Sequence, residues 1–114
     1  MSIKIWHNPR CSKSREALKL LEENGAEVEI FKYLDEEISK DDIKTLLSML
    51  GISARDLMRT KEDIYKELDL KNEESEEKLI EAMVNHHKLI ERPIIIKDNK
   101  ALIGRPPTLV LDFI

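Results

Sequence analysis

Apolar and polar positions along the chain follow two different periods, and the change between these periods predicts the elements. Residues 2–6 and 27–34 alternate with a period of two, which is typical of β-strands. Between them, a helical face is formed by Ala17, Leu18, Leu20 and Leu21, and Gly25 supplies a stop signal. This order predicts a βαβ unit whose two strands are parallel.

The middle of the chain, about residues 39–88, has the helical period throughout. Three short hydroxyl-x-x-acid sequences predict helix starts, at Ser39 with Asp42, Ser53 with Asp56, and Thr60 with Asp63. A fourth helix is predicted to begin at Ser75. This segment therefore reads as an all-helical insertion between two halves that form a sheet.

The last part of the chain has two apolar runs, residues 93–96 and 101–103, on either side of a turn signal. Residues 92–104 predict a hairpin with its turn at 98–100, and Pro106 and Pro107 suit the start of a final helix. A βαβ unit, helices and a ββα unit are the order of the thioredoxin-like fold. We therefore expect a single α/β domain over residues 1–114, with a mixed four-stranded sheet and the helical insertion.

Length and charge limit the classes of function. The 114 residues suit one domain, and the formal net charge of −4 lacks the basic field of nucleic-acid binders. No apolar run is long enough to cross a bilayer, and residues 1–10 do not resemble a signal peptide. We expect a cytoplasmic protein that binds neither nucleic acid nor membranes. Its single cysteine excludes an intramolecular disulfide, so any redox chemistry needs a thiol from another molecule.

That cysteine, Cys11, stands where the first helix is predicted to begin. The positive end of the helix dipole and the unpaired N–H groups favour a thiolate there, and cysteines so placed have pKa values of roughly 3.5–7.5. A free cysteine is more often a small buried apolar residue. Because positions 7–16 are almost entirely polar, the sequence favours a reactive thiolate.

Three neighbours are candidates for tuning this thiolate. Cys11-x-x-Ser14 is a monothiol version of a Cys-x-x-Cys motif, and the Ser14 hydroxyl is expected to hydrogen-bond the thiolate. Arg15 adds positive charge. His7 is either a cation that lowers the thiol pKa or a surface residue at the end of a strand.

Four separated motifs carry a resemblance that spans nearly the whole chain. They are "HNPRCSKSR" (7–15), "LGISARDLMR" (50–59), "ERPIII" (91–96) and "IGRPP" (103–107). With these motifs in order, the chain resembles the glutaredoxin-coupled arsenate reductase family (ArsC), most closely its short ArsC-related bacterial members.

The resemblance implies a catalytic Cys11 that attacks arsenate, with Arg59, Arg92 and Arg105 binding the oxyanion. It implies that the Arg92–Pro93 bond is the cis-proline of this fold class. It also implies that no cofactor is bound, that glutathione is the co-substrate, and that glutaredoxin completes the cycle.

Elementary chemistry agrees with this use of arginine. Arsenate is mostly a dianion near neutral pH, so a thiolate can approach it only where fixed cations offset the repulsion. Arg92 and Arg105 each precede a proline, which favours extended backbone and fixes the point from which the side chain projects. A cation such as Arg59 is also stabilising at the end of a short helix, so its role in oxyanion binding depends more on the resemblance.

Two departures leave the substrate open. Ser12 and Lys13 stand where many family members have glycine and threonine. One alternative is a thiol-redox protein that acts on glutathione mixed disulfides. A second is an Spx-like regulator that binds RNA polymerase, which Ser14 and the Arg105–Pro106 pair disfavour. No metal site is expected, because the adjacent His86 and His87 point about 100° apart on a helix.

Overall fold

A computed structural model describes residues 2–114 and contains ten α-helices and β-strands. The strands are β1 (Ser2–Trp6), β2 (Glu27–Phe31), β3 (Ile94–Lys97) and β4 (Lys100–Ile103). The helices are α1 (Ser12–Glu23), α2 (Lys40–Leu50), α3 (Ala54–Leu57), α4 (Asp63–Glu67), α5 (Glu76–Asn85) and α6 (Val110–Phe113). Short 3₁₀ turns cover Leu70–Asn72, His87–Leu89 and Pro107–Leu109.

The four strands form one mixed sheet in the order β2-β1-β3-β4. β1 and β2 are parallel, and Ile5 lies opposite Ile30. β3 is antiparallel to both β1 and β4, and the hairpin between β3 and β4 turns at Asp98 and Asn99. The predicted α/β fold, a thioredoxin-like arrangement with a mixed four-stranded sheet, is therefore confirmed.

The chain divides into two compact units, one running to Glu36 and resuming at Arg92–Ile114, the other spanning Glu37–Glu91. The first unit holds the sheet and α1. Its buried core consists of Ile3, Ile5, Ala17, Leu21, Ile95 and Val110. This core fixes α1 and the C-terminal segment to the same face of the sheet, and so it positions the start of that helix.

The second unit, Glu37–Glu91, contains α2 to α5, close to the predicted insertion limits of about 39–88. Ser39 and Asp42 form the predicted capping box, and the Ser75 hydroxyl accepts from Lys78 N–H at the start of α5. The predicted helix start at Ser53 is confirmed, because Ser53 is the N-cap residue of α3, but the cap bond expected of Ser53 is absent. The Ala54 N–H donates to Glu76 Oε1 at 2.6 Å.

The predicted start at Thr60 is wrong by two positions, since α4 follows Glu62. Among residues 2–114, no helix combines the length and apolar character needed to span a bilayer. The same residues include no group of three or more His, Cys, Asp or Glu side chains that could hold a metal ion.

Candidate active site

Cys11 occupies the N-cap position of α1, immediately after β1 and the loop 7–10. Its backbone N–H donates to the Asn8 carbonyl at 3.0 Å, and its carbonyl accepts from the Arg15 N–H at 3.0 Å. The side chain is 9% exposed. The turn between strand and helix therefore holds the sulfur at the positive end of α1, as the sequence predicts.

Arg105 reaches this sulfur from the other end of the chain. Its Nη2 lies 3.5 Å from Cys11 Sγ, while its Nε donates to the Arg92 carbonyl at 2.7 Å. The Arg92 guanidinium also interacts with the thiol. The structure thus brings together three of the residues named from the sequence: one sulfur and two guanidinium groups.

These neighbours decide the protonation of Cys11. Burial alone raises the pKa of the Cys11 thiol, because it disfavours the charged thiolate. The Ser14 N–H, the Arg92 guanidinium and the Lys13 N–H together outweigh burial, so the net pKa lies below the ordinary value. The sulfur makes no regular cap hydrogen bond, so these N–H groups act mainly as nearby dipoles.

Ser14 and His7 tune the thiol differently from what the sequence predicts. Ser14 is fully buried, and its hydroxyl pairs with His7 Nδ1 at 2.7 Å and accepts from the Asn8 N–H at 3.1 Å. The expected bond from this hydroxyl to the thiolate is therefore wrong. It is the backbone N–H of Ser14 that lowers the Cys11 pKa.

Of the two alternatives for His7, the cation that lowers the thiol pKa is not favoured. Burial, followed by the positive charges of Lys32 and Arg15, lowers the pKa of His7. The residue is only 6% exposed, so it is not a surface residue, and the lowered pKa favours the neutral ring. It supports the loop through Ser14.

Arg15 and Asn8 hold the shape of the loop before Cys11. Arg15 Nη1 donates to the Pro9 carbonyl at 2.9 Å, so its contact is with backbone. Asn8 Oδ1 accepts from the Arg10 N–H at 3.0 Å, which forms a turn. The position of Asn8 before Pro9 is typical of such a turn.

Two further features concern the arginine-proline pairs. The Arg92–Pro93 bond, the cis-proline candidate, is cis, and the Arg105–Pro106 bond is cis as well. Gly104, which directly precedes Arg105, is buried. Neither the second cis bond nor the packing of Gly104 was predicted.

Arg59 lies in the helical unit just beyond α3. Its Nη1 contacts Glu91 Oε1 at 2.8 Å, and its Nε lies 3.5 Å from Glu62 Oε1. Backbone bonds between Arg59 and Leu89, and between Glu91 and Leu57, fix this pair within the unit. The role of Arg59 in oxyanion binding stays a prediction.

Known proteins similar to this chain share most of its length. The profile of the ArsC family matches residues 6–113. The uncharacterized Escherichia coli protein YfgD is 55% identical over 114 residues, which cover 98% of this chain and 96% of that protein. An arsenate reductase of Neisseria meningitidis is 50% identical over 106 residues, 91% of each chain.

Similarity extends to three dimensions. An arsenate reductase from Vibrio cholerae superposes with a TM-score of 0.96 at 46% identity, covering 100% of this chain and 98% of that one. A family match from the end of β1 to the last helix includes the cysteine loop and both arginine-proline pairs. The chain belongs to the ArsC family.

Proposed function

We propose that this protein is an arsenate reductase of the glutathione and glutaredoxin type, in which Cys11 is the nucleophile. The observation that carries the proposal is the approach of Arg105 Nη2 to Cys11 Sγ at 3.5 Å, beside the Arg92 guanidinium and at the start of α1. Related proteins also support it, because arsenate reductases that are 47–50% identical to this chain match 91–100% of its length.

The same groups suit both the thiolate and its target. A guanidinium is always protonated and offers two parallel N–H donors to an oxyanion. Two such groups beside a helix N-terminus offset the repulsion between a thiolate and an arsenate dianion. Arg92 and Arg105 therefore bind the oxyanion next to Cys11, and the role of Arg59 as a third ligand rests on the resemblance to the ArsC family alone.

The reaction begins with formation of a bond between Cys11 sulfur and arsenic(V). One arsenate oxygen leaves as water after protonation, and the arginines absorb the remaining negative charge. Glutathione thiolate then attacks the Cys11 sulfur. The new S–S bond forms as the S–As bond breaks, and its electron pair reduces arsenic(V) to arsenic(III), which leaves as arsenite.

The remaining step requires an outside thiol. Cys11 is the only cysteine in the sequence, so no second thiol of the chain can resolve its disulfide with glutathione. A glutaredoxin thiolate attacks the glutathione sulfur and releases Cys11 as a thiolate. No bound cofactor takes part, and glutathione is consumed as co-substrate.

Arsenite formation with glutathione and glutaredoxin tests the proposal. Wild type is expected to produce arsenite, and Cys11→Ser is expected to produce none. The kcat/KM of Arg92→Ala is expected to be about a hundredfold lower than that of wild type, because the variant loses a charge-assisted hydrogen bond to the oxyanion. Arg10→Ala is the matched control, because its side chain is exposed in the same loop.

A wild-type protein that forms no arsenite, yet has a reactive low-pKa Cys11, would contradict arsenate reduction. Turnover of glutathione mixed disulfides by that protein would then identify the general thiol-redox activity. Because Arg92 also lowers the pKa of Cys11, the two activities are compared in Arg92→Ala at a pH where Cys11 is a thiolate in both proteins, so that only the loss of the oxyanion ligand separates them.

A further inference from the structure

The strand pairing of the hairpin continues beyond its last regular residues. Ile94 of β3 lies opposite Ile103 of β4, so the next opposing positions are Pro93 with Gly104. The Gly104 N–H donates to the Pro93 carbonyl at 2.9 Å. The following pair is Arg92 with Arg105, and the two arginines at the thiol are therefore neighbours across the same ladder.

The pair Arg92 and Arg105 is joined by a side-chain hydrogen bond instead of a backbone one. The backbone N–H of Arg105 turns back to the Ile103 carbonyl at 2.9 Å, and its Nε donates to the Arg92 carbonyl at 2.7 Å. Residues 104 and 105 thus donate to the carbonyls of 93 and 92 in turn. The guanidinium is held at one edge by backbone, and Nη2 is directed at Cys11 Sγ.

This close approach leaves no space for a side chain at Gly104. A Cβ there would lie 2.9 Å from Ile95 Cδ1, 3.1 Å from Pro93 Cγ and 3.5 Å from Val110 Cγ1. Ile95 and Val110 are fully buried in the core, and the proline ring cannot rotate away. An added methyl group must therefore push aside the Cδ1 end of Ile95 or shift the backbone at 104. Because Pro93 and Val110 close the other sides, we expect a backbone shift that carries Arg105 with it.

We propose that Gly104 is a positioning residue whose missing side chain lets Arg105 dock on the Arg92 backbone, so that both guanidiniums face Cys11 as one fixed pair. The placement of the pair at the thiol follows from the geometry alone. Its use as an oxyanion clamp rests on the proposed arsenate reductase function. Gly104 touches no substrate and acts through Arg105.

The test compares four proteins: wild type, Gly104→Ala, Ile95→Val and the double variant. The first readout is the pKa of Cys11, followed by thiolate absorbance, and the second is the arsenate KM and kcat. Gly104→Ala is expected to raise the thiol pKa by about half a unit to one unit, since a neighbouring opposite charge shifts a pKa by about 1–3 units. We expect the arsenate KM to rise about tenfold, more than kcat falls.

Ile95→Val is the matched control, because it loosens the same core without moving the backbone at 104. It is expected to keep the wild-type pKa and KM. The double variant removes the atom nearest to the added methyl group, so it should recover part of both shifts. It also serves as the test protein if Gly104→Ala does not fold.

Folded Gly104→Ala with the wild-type thiol pKa and KM would overturn the proposal, and so would failure of both alanine variants to fold, which would make the glycine a packing residue only. If wild type reduces no arsenate, the proposed function fails. The thiol pKa then still decides the role of Gly104, because that readout requires no substrate.

Discussion

Nη2 of Arg105 lies 3.5 Å from Sγ of Cys11, although 94 positions separate the two residues in the sequence. One end of this contact depends on the start of α1, and the other depends on the β4 edge of the sheet. The contact therefore forms only when both segments of the first unit are folded together. It also couples the charge of Cys11, the proposed nucleophile, to a group that is proposed to bind the oxyanion.

Replacing Arg105 by lysine tests whether the shape of the guanidinium matters in addition to its charge. A single ammonium group cannot both reach Cys11 Sγ and donate to the Arg92 carbonyl as the guanidinium does. We expect kcat/KM for arsenate to fall about 10–100-fold, because a hydrogen bond to a charged group is worth about 1.5–3 kcal/mol. Steady-state arsenite production gives this ratio.

Arg10→Lys is the control, since that exposed side chain lies in the same loop. It should retain the wild-type kcat/KM. An Arg105→Lys protein as active as wild type would show that only the positive charge is needed at this position.

The lowered pKa of Cys11 predicts a pH dependence of reactivity. The N–H groups and Arg92 outweigh burial, so the thiolate persists below the ordinary pKa of about 8.5. The rate of alkylation by iodoacetamide should follow a titration curve whose midpoint lies below that value. Arg92→Ala should move the midpoint upward, and an unchanged midpoint would contradict the assigned cause.

The same shift predicts a pH dependence of stability. Between the lowered pKa of the folded state and the ordinary pKa of the unfolded chain, only the unfolded chain retains the thiol proton. The free energy of unfolding should therefore rise with pH across this window and fall as the pH drops through the folded pKa. In urea titrations, Cys11→Ser should lack this rise, and an equal rise in both proteins would contradict it.

Loss of the Ser14 hydroxyl should destabilise the fold. It pairs with His7 Nδ1 and accepts the Asn8 N–H in a fully buried position, so Ser14→Ala leaves both groups without this partner. We expect the free energy of unfolding in urea to fall by about 2 kcal/mol. Ser12→Ala, on the exposed side of the same turn, should change it by less than about 0.5 kcal/mol. Equal losses in the two variants would contradict a structural role for the hydroxyl.

The elements that depend on local sequence were predicted well. Alternating apolar positions identify β1 and β2, and two apolar runs around a turn identify the hairpin; in β1 the apolar residues Ile3 and Ile5 face the core. The Ser39–Asp42 capping box forms because its two residues are close in sequence. At Ser53 the helix begins as predicted but the capping box does not form, and the first N–H of α3, that of Ala54, donates to the Glu76 carboxylate 22 residues away.

In the candidate active site, too, features set by local sequence could be predicted and features set by distant residues could not. The position of Cys11 at the helix start is local, and its depressed pKa could be inferred from the sequence. The hydrogen bond between the Ser14 hydroxyl and His7 could not be inferred, because it forms only when the end of β1 and the start of α1 are packed together. The tight packing at Gly104 depends on Ile95 and Val110 from other elements, which no local pattern reveals.

The proposed role of Arg59 as a third oxyanion ligand can be tested through the carboxylates that partly balance its charge. Glu91 lies 2.8 Å from Nη1, and Glu62 lies 3.5 Å from Nε. If Arg59 binds arsenate, these carboxylates weaken its attraction for the dianion. Glu91→Gln keeps an oxygen that can accept from Nη1 but removes the negative charge, so arsenate should bind more tightly.

We expect Glu91→Gln to lower the arsenate KM about two- to fivefold at low ionic strength, the scale of a pair worth about 0.5–1 kcal/mol. Arg59→Ala should raise it. Glu74→Gln makes the same change in net charge at an exposed site and should leave KM unchanged. If Glu91→Gln and Glu74→Gln have the same KM and Arg59→Ala matches wild type, then Arg59 serves only its ion pairs, and Arg92 and Arg105 alone hold the oxyanion.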